Sequence, residues 1–366
     1  MPSPSIPVFD GHNDVLLRLF MERSATPVSD FMDGNDKGQL DFPRAREGGL
    51  AGGLFAIFVP SPRQPRGGTD GAAQAAAADA APPVLELASA QRTVLAMAAT
   101  LFRIERESEG RVRVCGSVGE IRACVDAGVL APVLHLEGAE AIDEDFQMLE
   151  VLHKAGLKSL GPVWSRSNIF GHGVPFSFPA SPDIGPGLTD AGKALVKACN
   201  ELRILIDLSH LNEKGFWDVA AASDAPLVAS HSNAHAICPH ARNLTDRQLD
   251  AIRDSDGLVG VNYAVNFVRP DGRRDSNTPL DQVVDHVEYL INRLGEDRVG
   301  LGSDFDGAAM PNDLSSVAAL PNLVAAMRAR QYGDALIAKI CSENWLRVLG
   351  KTWRQPDAAT DRTRGA

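Results

Sequence analysis

Residues 203–231 read RILIDLSHLNEKGFWDVAAASDAPLVASH, and this stretch decides the fold. An apolar run, Arg203–Leu208, leads into Ser209-His210. Glu213–Ala222 follows with helical spacing, and a second apolar run, Pro226–Ser230, ends at His231. Short and nearly continuous apolar runs suit parallel strands that are covered on both faces. A helix between two of them is the crossover that such strands require.

The same unit recurs in both directions. Further strands are predicted near Pro7–Asp10, Leu54–Val59, Pro132–Leu136, Leu157–Val163, Leu258–Asn262 and Val299–Ser303. Helices are predicted over Glu144–Lys154, Ala191–Leu202, Thr245–Arg253, Leu280–Leu294, Leu323–Arg330 and Asp334–Leu349. Two more are expected, one near Val84–Ile104 and one opened by Ser117-x-x-Glu120; that motif and Thr245-x-x-Gln248 are both capping boxes. Strands alternating with helices imply a parallel α/β sheet, and eight such units predict a closed (β/α)8 TIM-type barrel. An open doubly wound sheet is disfavoured, because the first strand is followed by Gly11-His12-Asn13-Asp14 and not by a glycine-rich phosphate turn. Residues 1–366 read as one domain, with a long loop rich in Pro, Gly and Ala at about 60–83 and a polar tail after 353.

Composition narrows the function. With 44% hydrophobic residues there is ample material for a core, which excludes disorder as the main state. A formal net charge of −11 makes a poor general nucleic-acid binder, since phosphate contacts need clustered Lys and Arg. No run approaches the roughly 18 to 20 apolar residues of a membrane helix. The start, MPSPSIPVFDGHND, has no basic region followed by an apolar run, so neither export nor membrane attachment is expected. Cys115, Cys124, Cys199, Cys238 and Cys341 form no C-x-x-C pair and are expected to be reduced core thiols of a cytoplasmic protein.

Polar residues collect where the strands finish, and in a barrel those ends converge on one face. His12 and Asp14 follow the first strand. Their i, i+2 spacing lets both reach one ion in extended backbone. Glu137 closes the third strand, where a carboxylate needs compensation as a ligand, a base or half of an ion pair. His210 and His231 end the fifth and sixth strands, and imidazole is a common transition-metal ligand. Asp304 is the first acid after the eighth strand; Asp306 reads as structural. His135 is expected to pack in the barrel or to support a ligand. His153 and His286 read as solvated helix residues, His235 and His240 as loop residues that orient neighbours, and His172 as a loop residue facing the mouth.

These residues sit in six ordered motifs. They are Phe9-Asp10-Gly11-His12-Asn13-Asp14, Glu137-Gly138, Asp207-Leu208-Ser209-His210, Ala229-Ser230-His231-Ser232-Asn233-Ala234, Asn243-Leu244-Thr245-Asp246 and Gly302-Ser303-Asp304-Phe305-Asp306-Gly307. Together they resemble the renal (membrane) dipeptidase family, from about residue 8 to residue 350. The resemblance implies an amidohydrolase-type barrel with two zinc ions per chain. His12 and Asp14 would hold one, His210 and His231 the other, and Glu137 would bridge them. Asp304 matches the family's catalytic aspartate, and Arg242, eleven residues after His231, its substrate-binding arginine. Where animal members carry a substrate-contacting histidine after the fourth strand, this chain has Trp164, as in some bacterial relatives. Trp164 is expected to wall the substrate pocket, with His172 the nearby histidine that could substitute.

On this reading the chain hydrolyses small dipeptides, including L-Xaa-D-Xaa such as L-Ala-D-Ala. A hydroxide bridging the two metals attacks the carbonyl, Asp304 shuttles the proton, and Arg242 forks onto the substrate carboxylate. The alternative for Arg242 is a surface ion pair. Two other functions stay open: an amidohydrolase acting on N-acyl amino acids or lactones, and a metal-binding barrel without catalysis. The partner expected is a dipeptide, with neither nucleic acid nor membrane; a homodimer is compatible with the sequence.

Overall fold

The computed structural model describes residues 6–61 and 85–354. The long loop expected at about 60–83 and the tail after 353 lie almost wholly outside those residues. Eight strands run β1 (Val8–Asn13), β2 (Leu50–Phe58), β3 (Ala131–Glu137), β4 (Leu157–Gly161), β5 (Leu205–Ile206), β6 (Val228–Ala229), β7 (Leu258–Val261) and β8 (Val299–Leu301). Their order is β5-β4-β3-β2-β1-β8-β7-β6, and every pair is parallel. A parallel bridge from Asp207 to Val228, with Leu208 N donating to Val228 O at 2.8 Å, joins β5 to β6 and closes the (β/α)8 barrel.

Alternation along the strands sorts two apolar cores. Outward residues such as Leu134, Leu136, Ile206 and Val259 pack under the surrounding helices. Inward residues, among them Phe9, Leu54, Val133, Leu205, Val228 and Leu258, meet Trp345 in a separate cluster inside the barrel. Going up two residues from Val133, Leu205 and Val228 gives His135, Asp207 and Ser230, a polar layer. Two more residues along β3 bring Glu137 to the mouth. The period of two thus lifts the chemistry above a dry floor.

The floor is filled by the Trp345 indole, whose Nε1 donates to Leu301 O at 2.8 Å. Glycines make room for it: a Cβ on Gly11 would lie 2.3 Å, and one on Gly300 2.5 Å, from the indole. Trp345 belongs to the last helical segment, which is not the single helix expected over Asp334–Leu349. It comprises α-helix Asp334–Ala338, a π turn Lys339–Glu343 and α-helix Asn344–Thr352.

Other differences are local. β1 extends to Asn13, so His12 lies within the strand instead of after it. Three short helices, Val15–Glu22, Pro27–Met32 and Phe42–Gly48, precede β2. Both capped helices form: Gln248 Oε1 accepts from Thr245 N at 2.9 Å in a full capping box, whereas Ser117 accepts from Glu120 N at 3.1 Å and the Glu120 carboxylate accepts from Gly116 N at 2.9 Å, one residue before the cap. All five cysteines are free and buried. His286 is not solvated; it is fully buried, accepts from Ala234 N and bonds Val268 O. His153 is half-buried.

Candidate metal centre

The mouth of the barrel brings five of the sequence-chosen residues within bonding range of shared points. His12 comes from the last residues of β1, Asp14 from the residue after it, and Glu137 from the end of β3. His210 and His231 follow β5 and β6. All five are at least nine-tenths buried. Glu137 divides its carboxylate: Oε1 lies 3.0 Å from His210 Nε2 and 3.5 Å from His231 Nε2, and Oε2 lies 3.7 Å from His12 Nε2. Asp14 Oδ2 is 3.5 Å from His12 Nε2. Two ligand groups result, His12–Asp14–Glu137 and Glu137–His210–His231, each able to hold a metal ion. A third grouping, His12–Asp207–His231, lies lower in the barrel.

The donor set fits cations. His210 Nε2 and His231 Nε2 face each other at 3.0 Å. Both Nδ1 atoms are taken by hydroxyls, Ser165 Oγ and Ser230 Oγ, each at 2.7 Å. Ser230 Oγ in turn donates to Asp207 Oδ2 at 2.5 Å, so it accepts from His231 Nδ1–H and leaves the Nε2 lone pair facing the site. Burial, reinforced by the positive charges of Arg242 and His12, holds both imidazoles well below the usual histidine range and so neutral. His12 goes the other way: burial alone would lower it, but the Glu137 and Asp14 carboxylates outweigh that and push it up to about 10. Burial pushes Glu137 well above the usual carboxylate range. His12 Nδ1 and Nε2 and Asp14 Oδ1 are buried without a hydrogen-bond partner. Buried acids, neutral imidazoles aimed inward and orphaned donor atoms are the pattern that a bound divalent cation completes.

Asp304 stands at the edge of this group. Its backbone is in the left-handed region, with φ 65°, and its N donates to His12 O at 3.0 Å. Asn262 Nδ2 donates to Oδ2 at 3.0 Å. Burial, helped by the neighbouring Asp14 charge, pushes its carboxyl up to about 6. Gly307 makes this approach possible, because a Cβ there would sit 2.1 Å from Asp14 Oδ2 and 2.4 Å from Asp304 Oδ1. Asp306 is the structural acid: Arg18 Nε donates to it at 3.2 Å and Gln39 N at 2.6 Å.

Arg242 is not a surface ion pair. It is buried, its Nη2 donates to His231 O at 3.1 Å, and its Nε has no partner. No carboxylate lies within ion-pair distance of it among the described residues. Burial lowers it to about 10, which still leaves it cationic at neutral pH. Trp164 lines a cavity of about 640 Å³ that opens onto Glu137, His210, Asp14 and Asp304. Its ring packs 4.9 Å from Phe58 and 5.7 Å from His210, as a wall does. His172 does not line that cavity; it bonds Ser167 Oγ at 2.9 Å.

The residues missed by the sequence reading are the ones that hold the ligands. They include Ser165 and Ser230, Asp207 with three donors on its carboxylate, and Asn262. Arg166 also went unnoticed; it is fully buried, pairs with Glu140 at 2.9 Å and stacks on Trp164. The paired Ser-His endings of residues 209–210 and 230–231 were the available signal, but only half of it holds. Ser230 supports its own neighbour, whereas His210 is supported by Ser165.

No helix among the described residues is long and apolar enough to cross a membrane. In comparisons with known proteins, a solved metallo peptidase from Rhodobacter sphaeroides, liganded with a phosphinate mimic of the dipeptide L-Ala-D-Ala, is 53% identical. The match has a TM-score of 0.90 and covers 95% of this chain and 100% of that one. An uncharacterized protein in the pqqA 5′ region of Klebsiella pneumoniae is 52% identical, over 70% of this chain and 95% of that protein. Dipeptidase tcpJ of Claviceps purpurea is 27% identical, over 93% of this chain and 76% of its own length. The model of the membrane dipeptidase family matches residues 3–360. With the family model matched across nearly the whole barrel, the chain belongs to the membrane dipeptidases, peptidase family M19.

Proposed function

We propose that this member of a metallopeptidase family is a dinuclear zinc dipeptidase that cleaves small dipeptides, L-Xaa-D-Xaa such as L-Ala-D-Ala among them. The observation that carries the reading is the division of the Glu137 carboxylate between two ligand groups. His12 and Asp14 would complete one zinc site, and His210 and His231 the other. Zinc ions bound there supply Lewis acidity, which polarises the scissile carbonyl and makes water acidic enough to attack it near neutral pH. The Rhodobacter sphaeroides relative, liganded with its dipeptide mimic, supports the substrate class.

The chain's own residues do the rest. Asp304, raised toward neutrality, takes a proton from the attacking water and passes it to the leaving amine. Arg242 offers unspent donors in a planar fork to the substrate's α-carboxylate. Trp164 and Phe58 wall the cavity and keep bulk water from the reacting bond.

Metal analysis together with hydrolysis of L-Ala-L-Ala, L-Ala-D-Ala, D-Ala-L-Ala and N-acetyl-Ala tests this. Two zinc ions per chain with cleavage of L-Ala-D-Ala is the expected result. Cleavage of N-acetyl-Ala alone would keep the metal centre and replace the substrate class. Failure to bind metal on reconstitution would overturn the whole assignment.

A further inference from the structure

One rim of the cavity carries polar groups that neither the metal centre nor the hydrolytic step uses. Asn266 lines the cavity, is only 7% exposed, and its side-chain amide has no partner among the described residues. Its donors and acceptor are therefore free to meet a group that enters the cavity. Arg274 lines the same cavity and is exposed. Its neighbours are spoken for: Arg269 is held by Asp271 and Asp275, and Arg273 lies 3.9 Å from Asp271. The Arg274 guanidinium has no carboxylate within ion-pair distance among the described residues. The other arginine of the cavity, Arg18, is already bound to Asp306 and Glu22.

Both groups lie on the Arg242 side. Asn266 precedes Phe267, and Arg242 stacks on the Phe267 ring at 5.5 Å. His240, whose ring packs on Phe267 at 4.6 Å, accepts from Arg242 N and feels the charge of Arg274. The acids Asp14, Asp304 and Asp306 line the same cavity. Beside Phe267, on whose ring Arg242 stacks, the cavity lining thus offers an amide and an unpaired cation to a substrate side chain.

We propose that Asn266 and Arg274 form a subsite for an acidic side chain, so that dipeptides ending in glutamate or aspartate are preferred over neutral isosteres. The inference rests on the dipeptidase reading above and specifies the substrate class of that site. Arg274 supplies long-range attraction and Asn266 a short-range hydrogen bond, so the preference weakens with salt.

The test is kcat/KM of the metal-loaded enzyme on L-Ala-D-Glu, L-Ala-D-Gln and L-Ala-D-Ala, at low and high ionic strength. The wild type should favour L-Ala-D-Glu over L-Ala-D-Gln by about five- to tenfold at low salt, carried mainly by KM. R274Q should bring that ratio near unity, and R274E should invert it. N266A should lower the ratio without removing its salt dependence. Cleavage of L-Ala-D-Ala with no preference for the acid, or a preference unchanged in R274E, would overturn the subsite and leave the dipeptidase reading standing. No hydrolysis of any of the three would overturn both.

Discussion

The two ends of one barrel are built on opposite terms. At the floor, Trp345 fills the space left by Gly11 and Gly300, its single polar hydrogen is satisfied, and it clusters with apolar strand residues such as Phe9, Leu54, Val133 and Leu258. At the mouth, the strands hand over to loops in which His210, Asp304 and Asp306 all have positive φ, and buried donor atoms lack partners. The floor has nothing left to bind. The mouth keeps polar groups unpaired, a local cost of the kind that binding sites retain. Stability and chemistry are thus separated by about four residues along each strand.

Three changes would break or sharpen that contrast. The largest effect is expected at the mouth from Asp304→Asn. Turnover on L-Ala-D-Ala should fall roughly 10²- to 10⁴-fold while metal content, read by atomic emission, stays at the wild-type level. Near-normal turnover would remove Asp304 from proton transfer. Next is the floor. Trp345→Ala should cost about 3–5 kcal/mol in denaturant unfolding, yet the folded fraction should keep its metal and its activity per bound ion. Loss of activity beyond the loss of folded protein would mean that the two ends are not independent. The smallest effect is one of pH. In the metal-free protein His12 holds its proton up to about 10, so metal must displace it at neutral pH. From His12 alone, apparent metal affinity should rise about tenfold per pH unit between roughly pH 7 and 9, flattening above its pKa. Titration calorimetry in buffers of different ionisation enthalpy would count the released proton. A flat profile would contradict the environment assigned to His12.

The same contrast explains what the sequence made legible. The apolar strands and their order could be read because burial on both faces writes itself as continuous hydrophobic runs. The ligands could be read because a strand-ending His or carboxylate is chemically odd wherever it occurs. The boundaries were less legible. β5 and β6 shrink to two residues each, because Asp207 takes backbone donors from Ser209 and Ser230 onto its side chain. The short helices before β2 offered too few turns for periodicity to register. The support of His210 by Ser165 joins the loops after β5 and β4, which no local pattern encodes. His286 sits in a helical pattern that reads as solvated, yet its imidazole is consumed in tying that helix to the loops that follow β6 and β7.

The π turn at Lys339–Glu343 carries a consequence for how this chain tolerates change in length. A π turn holds one residue more than an α turn, so it sets the angular phase of everything after it. That phase lets Asn344 Nδ2 reach both Glu296 O at 2.7 Å and Val299 O at 2.8 Å while Trp345 enters the barrel. Deleting one residue there would restore a regular helix and improve local geometry. It would also rotate Asn344 and Trp345 by about 100° about the helix axis, turning the plug away from the barrel floor. The irregularity is a spacer, and its length is fixed by a contact that lies beyond it.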